Sequence, residues 1–130
     1  MDDDDNFGLA ALGTSGDFTV EVLCRSDDEY FLSVESRLWS FGFQLVDRST
    51  VHQLGVFLRT HAGRTAFADL VVGDFGGEMV RIIKDDEFPD RFFLRAAGGG
   101  ALIDFTFING SADDFAVAVV EAAAEFLDQM

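Results

Sequence analysis

Apolar and polar positions change period several times along this chain, and each change marks an expected element. Over 17–25 (DFTVEVLCR), Phe18, Val20, Val22 and Cys24 alternate with Thr19, Glu21 and Leu23, the period of two of a strand with one buried face. Ser26-Asp27-Asp28-Glu29 then has the form of a capping box, in which the serine oxygen accepts from backbone N–H groups and the glutamate three residues on returns the bond. Phe31, Val34, Leu38 and Phe41 follow at spacings of three, four and three, and Gly42 suits a left-handed C-terminal residue, so a helix is expected over 27–41. Near the end of the chain, Ser111 and Asp114 suit a helix start. Phe115, Val119, Ala122, Ala123 and Phe126 form one stripe there, with Glu121, Glu125 and Asp128 pointing away, which predicts a second helix over 112–128.

Between these helices, short apolar runs separated by turn signals give the pattern of an antiparallel meander. Residues 43–47 are a short strand candidate. The run 51–60 (VHQLGVFLRT) alternates around Leu54, Val56 and Leu58, turns at His61-Ala62-Gly63 and returns over 65–72 as a hairpin. A strand over 78–84 precedes a second hairpin, 91–96 with 101–108, joined by Gly98-Gly99-Gly100. Residues 1–16, an acid run followed by Gly13-Thr14-Ser15-Gly16, read as a flexible acidic N-terminal tail with at most one helical turn at 9–12. No internal repeat is visible in the residues. The expected fold class is α+β: one twisted, mainly antiparallel sheet of five to seven strands with two helices packed on one face, in the order strand, helix, strands, helix. The expected organisation is a single α+β domain over 17–130.

Composition agrees with one self-sufficient core. The chain has 130 residues, 48% of them apolar and 15 of them phenylalanine, so no cofactor is expected. The single cysteine, Cys24, forms no internal disulfide and sits in a strand pattern. The acidic start is the opposite of a secretory signal, and no apolar run approaches the roughly 18 residues that span a bilayer. A cytoplasmic location and no membrane association are therefore expected.

Charge narrows the function classes further. The net charge is −15: residues 1–24 hold six acids and no base, residues 96–130 another six and no base, and all nine bases fall between them. Such a field repels nucleic-acid backbones and anionic lipid surfaces and attracts basic proteins, so direct nucleic-acid binding is not expected.

Templates for catalysis find no match. Neither a Gly-x-Ser-x-Gly elbow nor a phosphate loop ending in Lys-Ser/Thr is present, and the glycine clusters at 73–77 and 98–100 join strands. His52 and His61 are the only histidines, and on an extended 51–60 they lie at least about 25 Å apart, too far to share a metal. Asp85, Asp86, Glu87 and Asp90 cluster beside Phe88 but lack the alternating ligands and central glycine of a calcium loop, so they read as a solvated acidic loop. Asp104, between Ile103 and Phe105, needs Arg81 or Arg95 as a partner if covered. Tyr30 and Trp39, off the main stripe of the expected first helix, are candidate interface anchors.

These features point to an acidic protein-binding domain, acting as a monomer, that captures a basic protein partner. Its expected contact residues are Tyr30, Trp39, Asp85, Asp86, Glu87, Phe88, Asp90, Glu121, Glu125 and Asp128. In size, acidity and architecture alone the chain is similar to bacterial immunity proteins, which neutralise toxins, many of them basic nucleases. That likeness implies no catalytic, cofactor or metal residue. Two other classes fit the same sequence: a secretion chaperone or adaptor holding an effector segment, and a small-molecule binder or enzyme with a pocket between sheet and helices.

Overall fold

The computed structural model describes residues 8–26, 29–88, 91–98, 101–107 and 110–127, and at 26, 98, 101–107 and 110–112 the backbone alone. Eight strands and two helices follow one another as β1 (Gly8–Ser15), β2 (Phe18–Ser26), β3 (Glu29–Glu35), β4 (Ser40–Leu45), α1 (Thr50–His61), β5 (Ala68–Phe75), β6 (Glu78–Lys84), β7 (Phe92–Gly98), β8 (Ala101–Phe107) and α2 (Gly110–Leu127). The strands form one sheet in sequence order, every neighbouring pair antiparallel. The expected class holds, α+β with a single antiparallel sheet and helices after strands, but the first helix falls elsewhere than at 27–41.

That segment is a hairpin. Tyr30, Leu32 and Val34 point inward from β3 and Phe41, Phe43 and Leu45 from β4, all buried. The turn is closed at Ser36, whose N–H donates to the Trp39 carbonyl at 2.8 Å and whose Oγ accepts from the Leu38 and Trp39 N–H groups. Leu38, assigned to the buried stripe of a helix, is 90% exposed at the tip of that turn. The period of two in these residues wins because β2 and the core on its covered face already offer pairing partners, which an isolated 3.6-residue stripe does not have.

The opposite exchange occurs at 51–60, expected as a strand and observed as α1. Val51, Leu54, Gly55 and Leu58 lie on one helical face and are buried. Asp47 starts the helix: its Oδ1 accepts from Ser49 N–H at 2.8 Å and Ser49 Oγ–H at 2.6 Å, while its own N–H donates to Thr50 Oγ1. Residues 8–15, read as tail, form β1, because their backbone pairs with β2 from Gly8↔Cys24 to Ser15↔Phe18.

Every strand from β1 to β7 turns one side inward, with Val20, Val22, Leu32, Val34, Val80, Ile82 and Leu94 among the residues with no exposure. The helices cover this side, α2 crossing β1 and β2 and lying beside α1. Phe115, Ala118, Val119, Ala122, Ala123 and Phe126 are the buried face of α2, which includes the whole stripe expected from the sequence. Contact with β1 is close enough that a Cβ at Gly13 would overlap the Ala118 carbonyl and come within 2.7 Å of the Ala122 nitrogen.

Element order repeats, four strands and a helix, then four strands and a helix. The first hairpin of each half turns through a left-handed glycine, Gly16 at φ 57° and Gly76 at φ 59°, and each carries a register shift in its first strand. The sequence showed no repeat because the common feature is the backbone path and not the residues. The halves join where β4 meets β5, through only two register pairs, Gln44↔Asp74 and Leu45↔Gly73, extended by a bond from Val46 N–H to the Val72 carbonyl.

Candidate protein-binding surface

The expected contact residues separate into those built into the core and those facing solvent. Tyr30 lies on the inward side of β3, 9% exposed, its ring edge-on to Phe126 of α2 and beneath the Arg48 guanidinium at 5.9 Å. Trp39 closes the β3–β4 turn with its ring edge-on to Phe18 at 6.1 Å and packs against the core. Neither stands off a helix as an open anchor, since no helix exists there.

The acidic loop after β6 is organised from within. Lys84, fully buried, donates from Nζ to the carbonyls of Asp85 at 2.6 Å and Phe88 at 3.0 Å. Asp85, expected to be solvated, is buried instead: it is ion-paired to Arg91 and accepts from the Glu87 N–H at 3.1 Å. Burial pushes its carboxyl upward, but the Glu87 N–H, the Arg91 guanidinium and the Lys84 ammonium outweigh it and hold the pKa below the ordinary value. Arg91 also lies over the Phe88 ring at 4.2 Å. Asp86, Glu87 and Phe88 remain exposed, and Asp90 lies outside the described residues.

Acids of α2 meet β1 and the turn that carries Asp17 where β1 runs beside α2. Glu121 Oε1 accepts from the Thr14 N–H at 3.0 Å, and Asp114 Oδ1 accepts from Ser15 Oγ at 3.0 Å. Asp17 lies in the turn that follows Gly16, and Asp113 and Glu125 are exposed on α2. Glu121 and Asp114 thereby satisfy an edge strand as well as adding charge. Arg37 faces this seam from the β3–β4 turn, 3.8 Å from Asp17, with both side chains largely exposed. Asp128 lies outside the described residues, as does the side chain of Asp104.

Elsewhere Arg25 is paired with Glu29 at 2.8 Å and Arg81 with Asp69 at 2.9 Å. Arg95, which faces Asp104 in register, lies beside Phe93. Along α2 and the β1–β2 turn the described acids Asp17, Asp113, Asp114, Glu121 and Glu125 meet Arg37 beside Asp17 and Arg59 on the same hollow as Glu121, and sequence reasoning located two of these acids, Glu121 and Glu125. It missed Asp17, Asp113 and Asp114, because nothing in the pattern of 8–15 tied that segment to α2.

Concave places lie on other parts of the fold. One of about 370 Å³ lies at the β4–β5 join, between Phe31, Gly42, Gln44, Asp74 and Phe75. Another lies on the outer side of the helix pair, about 470 Å³ between Arg59 of α1 and Ala116, Val117, Val120, Glu121 and Ala124 of α2. It continues past Val56 and His52 to Leu127. His52 and His61 share α1, nine residues and about 14 Å of helix apart, with His61 against the Phe57 ring at 4.6 Å. Among the described residues no three His, Cys, Asp or Glu side chains gather as a metal site needs, and no helix is long and apolar enough to cross a membrane. No family model, curated protein or solved structure matches the chain.

Proposed function

We propose that this chain is a protein-binding domain and not an enzyme, and that it captures a basic protein in the manner of an immunity protein neutralising a toxin such as a nuclease. The observation that carries the reading is the β1–α2 seam, where Asp17, next to Gly16 in the β1–β2 turn, and Asp114 and Glu121 of α2 come together, with Asp113 and Glu125 exposed on the same helix. Carboxylates so placed attract a cationic surface before contact and stand in for the phosphates that a nuclease holds. The exposed Asp86, Glu87 and Phe88, on a loop pinned by Lys84, offer a second contact whose ordering is already complete before binding. Cytoplasmic residence, where a delivered toxin would act, belongs to the same proposal.

The test is co-purification with the product of an adjacent toxin-like reading frame, followed by stopped-flow association at several salt concentrations. A one-to-one complex is expected whose association rate falls steeply from 0.05 to 0.5 M salt, as the Debye length contracts to a few ångströms. Asp113→Lys with Glu125→Lys should slow association further while leaving the melting temperature near that of the parent. An association rate indifferent to salt and to both reversals would overturn the reading.

A further inference from the structure

The hollow at the β4–β5 join opens on the side of the sheet that the helices leave uncovered. Leu23, Phe31, Gln44 and Asp74 stand side by side in one row across β2, β3, β4 and β5. Ser33 and Gly42 form the next row on the same side, two residues along each strand. At that row the sheet splits: β4 and β5 are in register only at Gln44 and Leu45, and beyond them β5 leaves through Phe75 into the turn at Gly76. Gly42 therefore has a strand on one side only and no side chain, and a space of about 370 Å³ opens above it, within the size range of clefts that hold small ligands.

Aromatic walls and a polar rim of one charge sign bound this space. Phe31 stands on one side, and Phe75, 40% exposed and backed by Phe41 with ring centres 5.0 Å apart, stands on the other. Asp74 Oδ2 accepts from the Gly77 N–H at 3.1 Å, which fixes the carboxylate at the rim. Among the described residues Asp74 has no ion pair, and the Ser33 hydroxyl and the Gln44 amide have no hydrogen-bond partner. Glu21, opposite Ser33 in β2, adds a second carboxylate on this side. No base lines the hollow. Arg25, whose guanidinium lies 5.5 Å from the Phe31 ring, is held by Glu29, and its position shows that a ring on this side of the sheet accepts such a group. An uncompensated carboxylate beside aromatic rings repels an anion and favours a cation. A guanidinium is planar, stacks on aromatic faces and carries five donors, enough to reach Asp74, Ser33 Oγ and Gln44 Oε1 together; a compact ammonium matches this set less well.

We propose that this hollow binds one guanidinium group carried on an apolar stem, set against the Phe31 and Phe75 rings above Gly42, with Asp74 as its counter-ion. A free arginine derivative and an arginine side chain of a protein present the same chemistry to it. The site goes beyond the basic-partner reading and does not rest on it, since the β1–α2 seam lies on the helix-covered side of the sheet and either can fail alone.

Arginine amide and the end-blocked peptide Ala-Ala-Arg-Ala-Ala, titrated into the full chain and followed through its backbone amide resonances, test the site. Shifts are expected at Phe31, Gly42, Gln44 and Gly76 and not at Gly55 of α1, with a dissociation constant on the order of 1 mM for the free amide. Citrulline amide, which keeps the shape and loses the charge, should bind about tenfold more weakly or worse, and lysine amide more weakly than arginine amide. Asp74→Asn keeps an oxygen for the Gly77 N–H and should weaken binding about tenfold. Gly42→Val, whose Cβ would meet only the Leu32 carbonyl at 3.7 Å, should fill the hollow and abolish the shifts while the melting temperature stays at or above that of the parent. Tighter binding of the peptide supports a site for a protein arginine, and tighter binding of the amide supports a site for a small molecule. Absence of shifts with both ligands overturns the proposal, as do shifts that persist in Gly42→Val or citrulline amide binding as tightly as arginine amide.

Discussion

An ammonium group enclosed by protein must find acceptors for its protons, and Lys84 finds them in the Asp85 and Phe88 carbonyls. It ties the start of the acidic loop to its middle, so the loop is held by a base that sequence reading left inside a strand. Lys84→Met keeps the aliphatic stem but leaves those carbonyls without a donor; a loss of about 2 kcal/mol or more in urea unfolding is expected. Asp85 and Asp47 act in the same local way, one accepting from Glu87 N–H and Arg91, the other from Ser49 and Thr50. For Asp47 the Ser49 hydroxyl and N–H lead in lowering the pKa; both carboxylates thus have folded values below their unfolded ones. Their contribution is full above the unfolded value of about 3.9 and disappears as pH falls through the lower folded one. Melting temperatures taken from pH 7 to pH 3 should therefore drop on the acid side. Asp85→Asn with Asp47→Asn should start lower at pH 7 and fall less. An unchanged acid slope in that double variant would show that other carboxylates carry the effect.

Elements were legible where one period stood alone. From 78 to 84 and from 110 to 127 the alternation and the stripe had no competitor, and β6 and α2 lie where they were expected. In 29–45 both periods are present in the same residues: Phe31, Val34 and Phe41 fit a helix, while Tyr30, Leu32, Val34, Phe41 and Phe43 fit two strands. Only the neighbours decide, since β2 pairs with β3 from Thr19↔Glu35 to Ser26↔Glu29. In α1 the reverse holds, since β-branched Val51 and Val56 and a central Gly55 resemble a strand, and the signal that corrects them is the Asp47–Ser49–Thr50 turn. β1 was missed because the residue it most needs is one without a side chain. Gly13→Ala should force β1 from α2 and cost about 3 kcal/mol in a denaturant melt. Gly63→Ala, at φ 79° with open space around it, should cost only about 1 to 2 kcal/mol, the left-handed backbone term by itself. A loss at Gly13→Ala no larger than that at Gly63→Ala would mean that α2 yields to the added methyl and that close contact is not what makes Gly13 necessary.

For the molecule as a whole, the repeat of four strands and a helix suggests two halves that could each fold, yet the packing couples them. α2, which follows the second set of strands, covers β1 and β2 of the first and lies against α1. Thr14 and Ser15 are held by Glu121 and Asp114, and Tyr30 of β3 packs on Phe126, so the first half's sheet is closed by the second half's helix. The same crossing brings Asp17 to the acids of α2, nearly a hundred positions on, and for that reason no reading along the sequence could assemble the seam. The direct sheet connection between halves is slight by comparison, two register pairs at the β4–β5 join. Cutting the chain in the exposed 62–67 link is therefore predicted to leave a single cooperative unit held by α2 and not by the sheet. A 1–64 fragment should lack a cooperative thermal transition, because Val20, Val22, Leu32 and Val34 would lose their cover. Mixed with 65–130, it should regain the far-ultraviolet dichroism of the intact chain and elute as a one-to-one complex. Ala118→Asp in the second fragment, which places a carboxylate in the buried face of α2, should abolish that recovery. If 1–64 melts cooperatively by itself, the halves are independent domains, and α2 is an accessory to the first sheet instead of its lid.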